Sequence, residues 1–426
     1  MLTQPGYRPR LVDDQIARSM EAFGAVCVEG PKWCGKTWAA LNQAKSVYYV
    51  GDPARNFQNR AMAELDPAAM LEGEEPRLID EWQEVPSIWD AVRFEADKGQ
   101  ERGRFLLSGS STPARKGVLH TGTGRIGTIR MHPMSLAESG DSCAKVSLRG
   151  LFEGPVKTMQ TGEVRLQRLC ELIVRGGWPG NLESSAENMG LVPQSYLDQV
   201  VTQDMLRVDG VRRDPHKMGM LLRSLARNES TMASLATLRR DMLQYDDDTL
   251  AENTVADYLG VLGRMFVTWE QPAFDPNMRS AVRVGKRPKR HLADPSLAAA
   301  ALGATPQRLM GDLETLGFLF EALCERDLLV YAQASGGRLG HYRDGMGREV
   351  DAVVEMPDGE WAAVEVKLGA NQIDAAAASL LKMREMIKAE PRGRMPSVLL
   401  VVCGLSAFAY TRPDGVVVVP ITALTA

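Results

Sequence analysis

The sequence has few of the residues that cross-link small domains or bind soft metals. Of its 426 residues, only six are cysteine and five are histidine. No two cysteines form a C-x-x-C pair, and the histidines are equally scattered along the chain. This distribution does not fit a structural zinc site, whereas free buried thiols in a reducing compartment would account for it.

Long apolar runs are also missing. The longest, VLLVVCGLSAFAY at residues 398–410, is too short and too interrupted to cross a membrane. The first residues, MLTQPGYRPRLVDDQ, contain no apolar core of the kind that marks a signal peptide. We therefore expect a cytoplasmic protein that has no membrane partner.

Neither sign of charge dominates the chain. It contains 50 Lys and Arg residues against 54 Asp and Glu residues, which gives a formal net charge of −4. The surface as a whole is therefore not basic, and any contact with nucleic acid must come from local patches. Hydrophobic residues make up 44% and charged residues 24%, as in soluble globular proteins, and the length predicts two or three domains.

One short motif stands out near the amino terminus. Residues 22–43, AFGAVCVEGPKWCGKTWAALNQ, predict a strand, a loop and the start of a helix. The loop fits the pattern G-x-x-x-x-G-K-[ST], from Gly30 and Pro31 through Gly35 to Lys36 and Thr37. Glycines let backbone N–H groups surround phosphates at a helix amino terminus. Lys36 would then reach the β- and γ-phosphates of ATP, and Thr37 would offer its hydroxyl to Mg²⁺.

A pair of acids follows the next apolar segment. In PRLIDEWQEVP, a short strand ends at Asp80 and Glu81. Asp80 would hold Mg²⁺, and Glu81 would activate the attacking water. The simpler interpretation is a strand end followed by a solvated acidic loop, but the matching loop upstream favours a functional pair. A third strand, GRFLLSGSS at 103–111, could place Ser108 or Ser110 near the γ-phosphate as a sensor.

An arginine follows a glycine-rich turn in TGTGRIGTIRMHPMSLAES, residues 121–139. Arg125 could point at the nucleotide of a neighbouring subunit as an arginine finger, which would imply a homo-oligomer. It could equally be a surface arginine held in a salt bridge. The sequence does not choose between these two interpretations.

The order of these motifs resembles that of a prokaryotic AAA-type ATPase family whose members carry a C-terminal domain of unknown function (DUF4143). The resemblance continues in IVRGGWPGN at 173–181, KRPKRHLADPSLAAAALG at 286–303 and LFEALCERDLL at 319–329, so it covers nearly the whole chain. It implies an α/β P-loop domain of AAA type that binds ATP and Mg²⁺.

The middle of the chain predicts three helices followed by a basic hairpin. The helical patterns occupy residues 216–228, 232–243 and 249–270, and a Pro-rich polar stretch follows at 271–295. This is the element order of a winged helix-turn-helix, which could contact DNA phosphates through its wing. The basic residues of the predicted wing are Lys286, Arg287, Lys289 and Arg290.

Winged helices also serve as protein-interaction modules, and two features argue against base-specific reading of DNA here. The third helix is not basic on its exposed side, and the acidic run Asp246–Asp248 just before it would repel DNA. A protein partner therefore remains an alternative to DNA.

The C-terminal part predicts a helix, three strands, a helix and a strand, the order of a restriction-endonuclease-like α/β domain. Asp351 lies in one strand, while Glu365 and Lys367 share one side of the next because side chains alternate along a strand. The two acids would bind a metal that activates water, and Lys367 would stabilise charge on the phosphate. Glu321, on the preceding helix, would complete the site. The alternative is a strand pair with a solvent-facing Glu365–Lys367 salt bridge.

The sequence thus predicts four regions: an AAA-type ATPase domain at 1–160, a helical linker at 161–210, a winged helix at 211–304 and a nuclease-like domain at 305–426. We expect an ATPase whose nucleotide state controls the DNA-contacting and nuclease-like parts. The alternative is a switch that cuts nothing and binds a protein partner.

Overall fold

A computed structural model describes residues 1–99, 101–112, 120–243, 250–389 and 393–426. The described residues fall into two compact units. The first comprises residues 1–133, 203–213 and 260–267, and the second comprises residues 134–202, 214–259 and 268–426.

The first unit is built on alternating helices and strands. In chain order these are α1 (Val12–Ala22), β1 (Ala25–Glu29), α2 (Lys36–Leu41), β2 (Ser46–Tyr49), α3 (Ala54–Leu65), β3 (Arg77–Asp80), α4 (Ser87–Lys98), β4 (Phe105–Gly109) and β5 (Ile126–Arg130).

Within the described part of this unit, five strands form one sheet in the order β2-β3-β4-β1-β5, and all of them are parallel. β1 and β4 are apolar over almost their whole length, as expected of parallel strands that are covered on both faces. Ile79, Leu107, Ile88 and Val92 pack together between the sheet and α4. Because parallel strands end at the same edge, the segments that follow β1, β3 and β4 converge there.

The remaining helices follow in chain order; α8 belongs to the 203–213 segment of the first unit, and the last residues of α11 belong to its 260–267 segment. They are α5 (Leu136–Ser139), α6 (Leu166–Arg175), α7 (Leu191–Gln199), α8 (Met205–Asp209), α9 (Pro215–Arg227), α10 (Leu235–Leu243), α11 (Glu252–Arg264), α12 (Val282–Gly285), α13 (Pro295–Ala301), α14 (Pro306–Gly311), α15 (Leu313–Ala334) and α16 (Ile373–Ala389).

The strands of the second unit are short at first and longer towards the carboxyl terminus. They are β6 (Val146–Ser147), β7 (Met159–Gln160), β8 (Thr268–Gln271), β9 (Lys289–Leu292), β10 (Arg338–Arg343), β11 (Glu349–Glu355), β12 (Trp361–Gly369), β13 (Val398–Leu405), β14 (Phe408–Thr411), β15 (Val417–Pro420) and β16 (Leu424–Thr425).

A mixed sheet forms the core of the second unit. Among its described residues seven strands take the order β10-β11-β12-β13-β15-β14-β7. β10, β11 and β12 are antiparallel neighbours, whereas β12, β13 and β15 run parallel. Apolar side chains of α16, among them Ala377 and Leu380, pack on this sheet against Val401 and Val418. The observed order of helix α15, three strands, helix α16 and strand β13 is the predicted one; the nuclease-like interpretation of it stays a prediction.

The predicted three helices and hairpin correspond to α9, α10, α11 and the antiparallel pair β8–β9. The third helix was predicted to run to residue 270, but α11 ends at Arg264. The chain turns at Phe266, whose φ is +57°, and enters β8. The prediction was wrong because the apolar residues of β8 continue the helical pattern by chance. The winged-helix interpretation stays a prediction.

Residues 146–160 contribute to the second unit. β6 pairs with β16 near the carboxyl terminus, and β7 pairs with β14. The predicted four-region division stays a prediction. Within the described ranges, every helix is too short or too polar to span a bilayer.

Candidate functional site

The loop between β1 and α2 has the shape that the G-x-x-x-x-G-K-T pattern predicts. A Cβ on Gly30 would lie 2.2 Å from the backbone oxygen of Met131, so only glycine fits there. Gly35 adopts a φ of +100°, which glycine tolerates without strain. Lys36 is buried, and its Nζ donates to the backbone oxygen of Pro31 at 2.8 Å. Trp33, by contrast, is 63% exposed, so its indole is not packed inside the loop.

A buried arginine from the amino-terminal segment holds this loop. Arg10 donates from Nη1 to the backbone oxygen of Cys34 at 2.7 Å and from Nη2 to that of His132 at 2.9 Å. It thereby ties the loop to the chain that follows β5. Arg10 was not predicted, because nothing in the local pattern YRPRL indicates a contact 24 residues further on.

Thr37 and Asp80 lie together at the carboxyl edge of the sheet. The Thr37 hydroxyl donates to Asp80 Oδ1 at 2.9 Å, and Ser108 on β4 donates to the same oxygen. Burial raises the pKa of Asp80 above its usual value, and the hydrogen bonds from Ser108 and Thr37 oppose that rise. Thr37 from the loop and Asp80 from the acid pair at the end of β3 are therefore in contact, as predicted residues of one site.

Glu81 is held next to this pair by two neutral donors. Ser110 donates to Glu81 Oε2 at 3.1 Å, and Gln83 Nε2 donates to the same oxygen. Glu81 has a φ of +57°, a conformation that costs a non-glycine residue on the order of 1–3 kcal/mol and is concentrated at functional sites. Ser108 or Ser110 was predicted as a phosphate sensor. In the structure Ser108 donates to Asp80 and Ser110 donates to Glu81, and the sensor role stays a prediction.

The donor set at this edge suits a hard divalent cation. The Thr37 hydroxyl and the Asp80 carboxylate are oxygen ligands, which Mg²⁺ prefers, and they already touch each other. The residues present therefore fit Mg²⁺, and the roles of Thr37 and Asp80 in holding it stay predictions.

Arg125 lies elsewhere in the first unit. It precedes β5, and β5 runs parallel to β1, so Arg125 is at the opposite edge of the sheet from the loop that follows Glu29. Its Nε donates to Asp97 Oδ1 at 2.6 Å. Arg125 thus takes part in a surface salt bridge within its own chain. A role toward a neighbouring subunit stays a prediction.

The second unit brings together the predicted acids and lysine. Lys367 Nζ lies 2.6 Å from Glu365 Oε2 and 3.3 Å from Asp351 Oδ2, and the backbone N–H of Val366 donates to that same Asp351 oxygen at 2.7 Å. The Glu365–Lys367 pair is therefore real, but it is not solvent-facing, because Glu365 is only 6% exposed. Burial, and then the negative charge of Asp351, raise the pKa of Glu365 to about 7.

A second lysine joins the group from β9. Lys289 Nζ lies 2.6 Å from Glu321 Oε1 and 3.0 Å from Glu325 Oε1, and it donates to the backbone oxygen of Asp351 at 2.9 Å. Burial and then the acid at Glu321 raise the pKa of Glu325 to about 8, against the opposing charge of Lys289. We call Glu321, Glu325, Asp351, Glu365, Lys289 and Lys367 the carboxylate–lysine cluster.

The placement of Lys289 corrects one sequence interpretation. It was predicted on the exposed wing, in position to meet phosphates, but it is 5% exposed and bound to acids. The error arose because a basic run looks solvent-exposed until its buried partners, which lie more than 30 residues away, are known. Arg290 next to it donates to the backbone oxygen of Ala233. The acidic run Asp246–Asp248 lies outside the described residues.

The cluster was also predicted to bind metal through Asp351 and Glu365. Over the described ranges, no group of three or more His, Cys, Asp or Glu side chains is arranged to hold a metal ion. The pair itself is bridged by Lys367. A metal on these two residues stays a prediction, as does a catalytic role for Glu321.

Comparison with known families agrees with the motifs. Residues 22–140 match the family described as an AAA domain, and residues 316–424 match a domain of unknown function, DUF4143. An AAA-domain match is thus followed by a C-terminal DUF4143 match, in the order that the motifs predicted. Residues 166–308, between them, match another domain of unknown function, DUF8612.

Individual relatives are distant. Mycobacterium tuberculosis Rv2008c and Mycobacterium bovis Mb2031c, both described as uncharacterized proteins, are each 23% identical over 345 residues, 80% of this chain and 70% of their own length. The solved Walker-type ATPase of Pyrococcus abyssi is 13% identical with a TM-score of 0.43, over 71% of this chain and 97% of that one. The Aeropyrum pernix ORC1 protein, solved in complex with DNA, is 14% identical with a TM-score of 0.27, over 70% and 94%. Likenesses this weak carry no argument about function.

Proposed function

We propose that the first unit binds ATP with Mg²⁺ and hydrolyses it. The observation that carries the proposal is the contact between Thr37 and Asp80, with Glu81 held beside them. Lys36 is the residue that would leave its contact with Pro31 to bind the β- and γ-phosphates. Mg²⁺, when bound, would neutralise charge that develops on the phosphates.

Glu81 is the proposed base for the attacking water. Its carboxylate accepts hydrogen bonds from Ser110 and Gln83, which orient it. A carboxylate so held can take a proton from water as the water attacks the γ-phosphate. Ser110 and Gln83 therefore act as positioning residues, and Asp80 fixes the metal side of the site.

The test is steady-state ATP hydrolysis by Glu81→Gln. Loss of a positioned general base costs roughly 10²–10⁴-fold in turnover, while binding of a fluorescent ATP analogue should persist. Glu84→Gln is the matched control, because Glu84 follows in the same short helical turn but pairs with Arg60 at 3.3 Å. Unchanged turnover by a folded Glu81→Gln protein would contradict the role of Glu81 as the base.

We further propose that the nucleotide state controls a DNA-contacting winged helix and a nuclease-like C-terminal domain. Two observations support a nuclease-like framework. Asp351 and Glu365 both reach Lys367, and the strands that carry them follow the expected helix α15. On this proposal Lys367 stabilises charge on a phosphate, with Asp351 and Glu365 as the acids for a metal.

The competing function is an ATP-dependent switch that binds a protein partner and cuts nothing. One observation favours the switch: Lys289 and Lys367 already contact the acids of the carboxylate–lysine cluster. A cluster whose charges are compensated in this way can be purely structural. Plasmid cleavage with Mg²⁺ or Mn²⁺, by wild type and Lys367→Ala, separates the two functions. Cleavage that is lost in Lys367→Ala supports the nuclease; absence of cleavage by wild type on several DNA and RNA forms supports the switch.

We also propose a homo-oligomer in which Arg125 acts on the nucleotide of a neighbouring subunit. The measurement is the mass of the particle with ATP, with and without DNA. An ATP-dependent oligomer whose hydrolysis falls in Arg125→Ala, with Asp97→Ala as the control that breaks the same salt bridge, supports a finger. A monomer under all conditions contradicts it.

A further inference from the structure

Lys289 occupies the kind of position within the carboxylate–lysine cluster that a metal ion takes in a carboxylate site. Its ammonium has three N–H donors, and three oxygens surround it, from Glu321, Glu325 and the backbone of Asp351, at 2.6, 3.0 and 2.9 Å. All its donors are therefore used. The side chain is only 6% exposed, so solvent contributes little to its neutralisation.

The oxygens around Lys289 come from separate elements that fix them in place. Glu321 and Glu325 are one turn apart on the long helix α15, so both face the same way. Asp351 belongs to β11 in the central sheet. Lys289 enters from the start of β9, which is anchored to β8 by an antiparallel ladder. The arrangement is thus an oxygen cage whose cation is part of the chain.

One further oxygen faces this cage without a hydrogen bond. Glu325 is fully buried, and its Oε2 has no hydrogen-bond partner among the described residues. His291 Nδ1 lies 3.7 Å from this oxygen. Burial holds the pKa of His291 well below its usual value, so the ring is neutral. An unsatisfied buried carboxylate oxygen is costly unless a cation lies close by, and Lys289 Nζ is 3.0 Å from Oε1 of the same carboxyl group.

We propose that Lys289 is the resident cation of the cluster and keeps divalent metal away from Glu321 and Glu325. Metal binding in the C-terminal domain, if the nuclease-like function proposed above holds, is then confined to Asp351 and Glu365. Glu321 serves as a partner of Lys289 and not as a metal ligand. The inference rests on the proposed function only in naming that second pair of acids.

The test measures Mn²⁺ binding by electron paramagnetic resonance at pH 8 without nucleotide. Asp80→Asn is present in every protein, so that the first unit does not contribute. The proteins compared are the Asp80→Asn parent, Glu321→Gln and Lys289→Ala, with Lys286→Ala as a matched control from the same basic run. Circular dichroism and a melting curve establish that each is folded.

Two results are expected. Glu321→Gln leaves Mn²⁺ affinity of the parent unchanged, because Glu321 is already committed to Lys289. Lys289→Ala gains Mn²⁺ affinity by about tenfold or more, since it frees two carboxylates and a carbonyl oxygen, and Lys286→Ala does not. Addition of Glu321→Gln to Lys289→Ala then removes most of the gain.

The proposal is overturned if Glu321→Gln weakens Mn²⁺ binding by the parent about tenfold or more. The Glu321→Gln measurement tests the proposal even if Lys289→Ala fails to fold. A folded Lys289→Ala protein with parental Mn²⁺ affinity also overturns it. Failure of the nuclease proposal would look different: plasmid cleavage would be absent while the Mn²⁺ results stand.

Discussion

Substitution of Glu365 by Gln should change how the stability of the protein depends on pH. The carboxyl group is 6% exposed and lies among Asp351, Lys367, Ser379 and the charge of Glu321. Its pKa rises from the ordinary 4.5 to about 7, mainly through burial. Between these two values the folded protein keeps a proton that the unfolded chain has released. Wild type therefore loses stability from this group as pH rises from 4.5 to 7.

The size of the effect follows from the two pKa values. A rise from 4.5 to about 7 corresponds to about 3.5 kcal/mol at 1.4 kcal/mol for each tenfold change in proton affinity. Because part of the side chain's environment is polar, we take about 2 kcal/mol as the expected contribution. Glutamine does not titrate, so Glu365→Gln lacks this loss. Relative to wild type, the variant should gain about 2 kcal/mol between pH 5 and pH 8.

Thermal denaturation at pH 5 and pH 8 checks the prediction. A gain of about 2 kcal/mol corresponds to roughly 4–8 °C in the difference between the two melting temperatures. Glu349→Gln is the control, because it removes the same charge from an exposed residue on the neighbouring strand β11. If the difference between wild type and Glu365→Gln is the same at both pH values, the carboxyl group does not hold a proton in the folded protein and the reasoning fails.

Two further predictions concern the nucleotide loop. Gly30→Ala should abolish ATP binding, because its methyl group would meet the Met131 backbone oxygen at 2.2 Å. Gly219→Ala is the control, because the space around Gly219 on α9 is open, and retained ATP binding by a folded Gly30→Ala protein would show that the loop can adjust. Arg10→Met should weaken ATP binding about tenfold, since it removes two charged hydrogen bonds that fix the loop. Calorimetric titration with ATP measures the affinity. An affinity equal to that of wild type would mean that the loop holds its shape without Arg10.

Features that depend on neighbouring residues in the chain were predictable. The loop from Gly30 to Thr37 follows from a short pattern whose backbone demands are strict, and the structure has the expected strand before it and helix after it. Asp80 and Glu81 follow from an apolar segment with a polar end. The pairing of Glu365 with Lys367 follows from alternation along one strand.

Features that depend on distant partners were not predictable in the same way. Arg10 and Lys289 have no local signal, since their partners lie more than 20 residues away in the chain. Lys289 was predicted on an exposed wing and Arg10 was not singled out, because most cations lie on the surface. Burial reversed the interpretation in both cases: a buried cation needs oxygens around it, and those oxygens are fixed only when helices and strands have packed.

The two groups of acids differ in what neutralises them, and this difference bears on where a divalent ion should bind. Asp80 and Glu81 accept hydrogen bonds from neutral side chains, those of Thr37, Ser108 and Ser110 among them. The acids of the carboxylate–lysine cluster instead contact ammonium groups of the chain itself. A divalent ion gains most where the acid has no cation in contact with it, because an ammonium would have to be displaced elsewhere. Mg²⁺ should therefore favour the first unit over the second whenever ATP is present, and the metal requirement of the protein should follow its ATP hydrolysis.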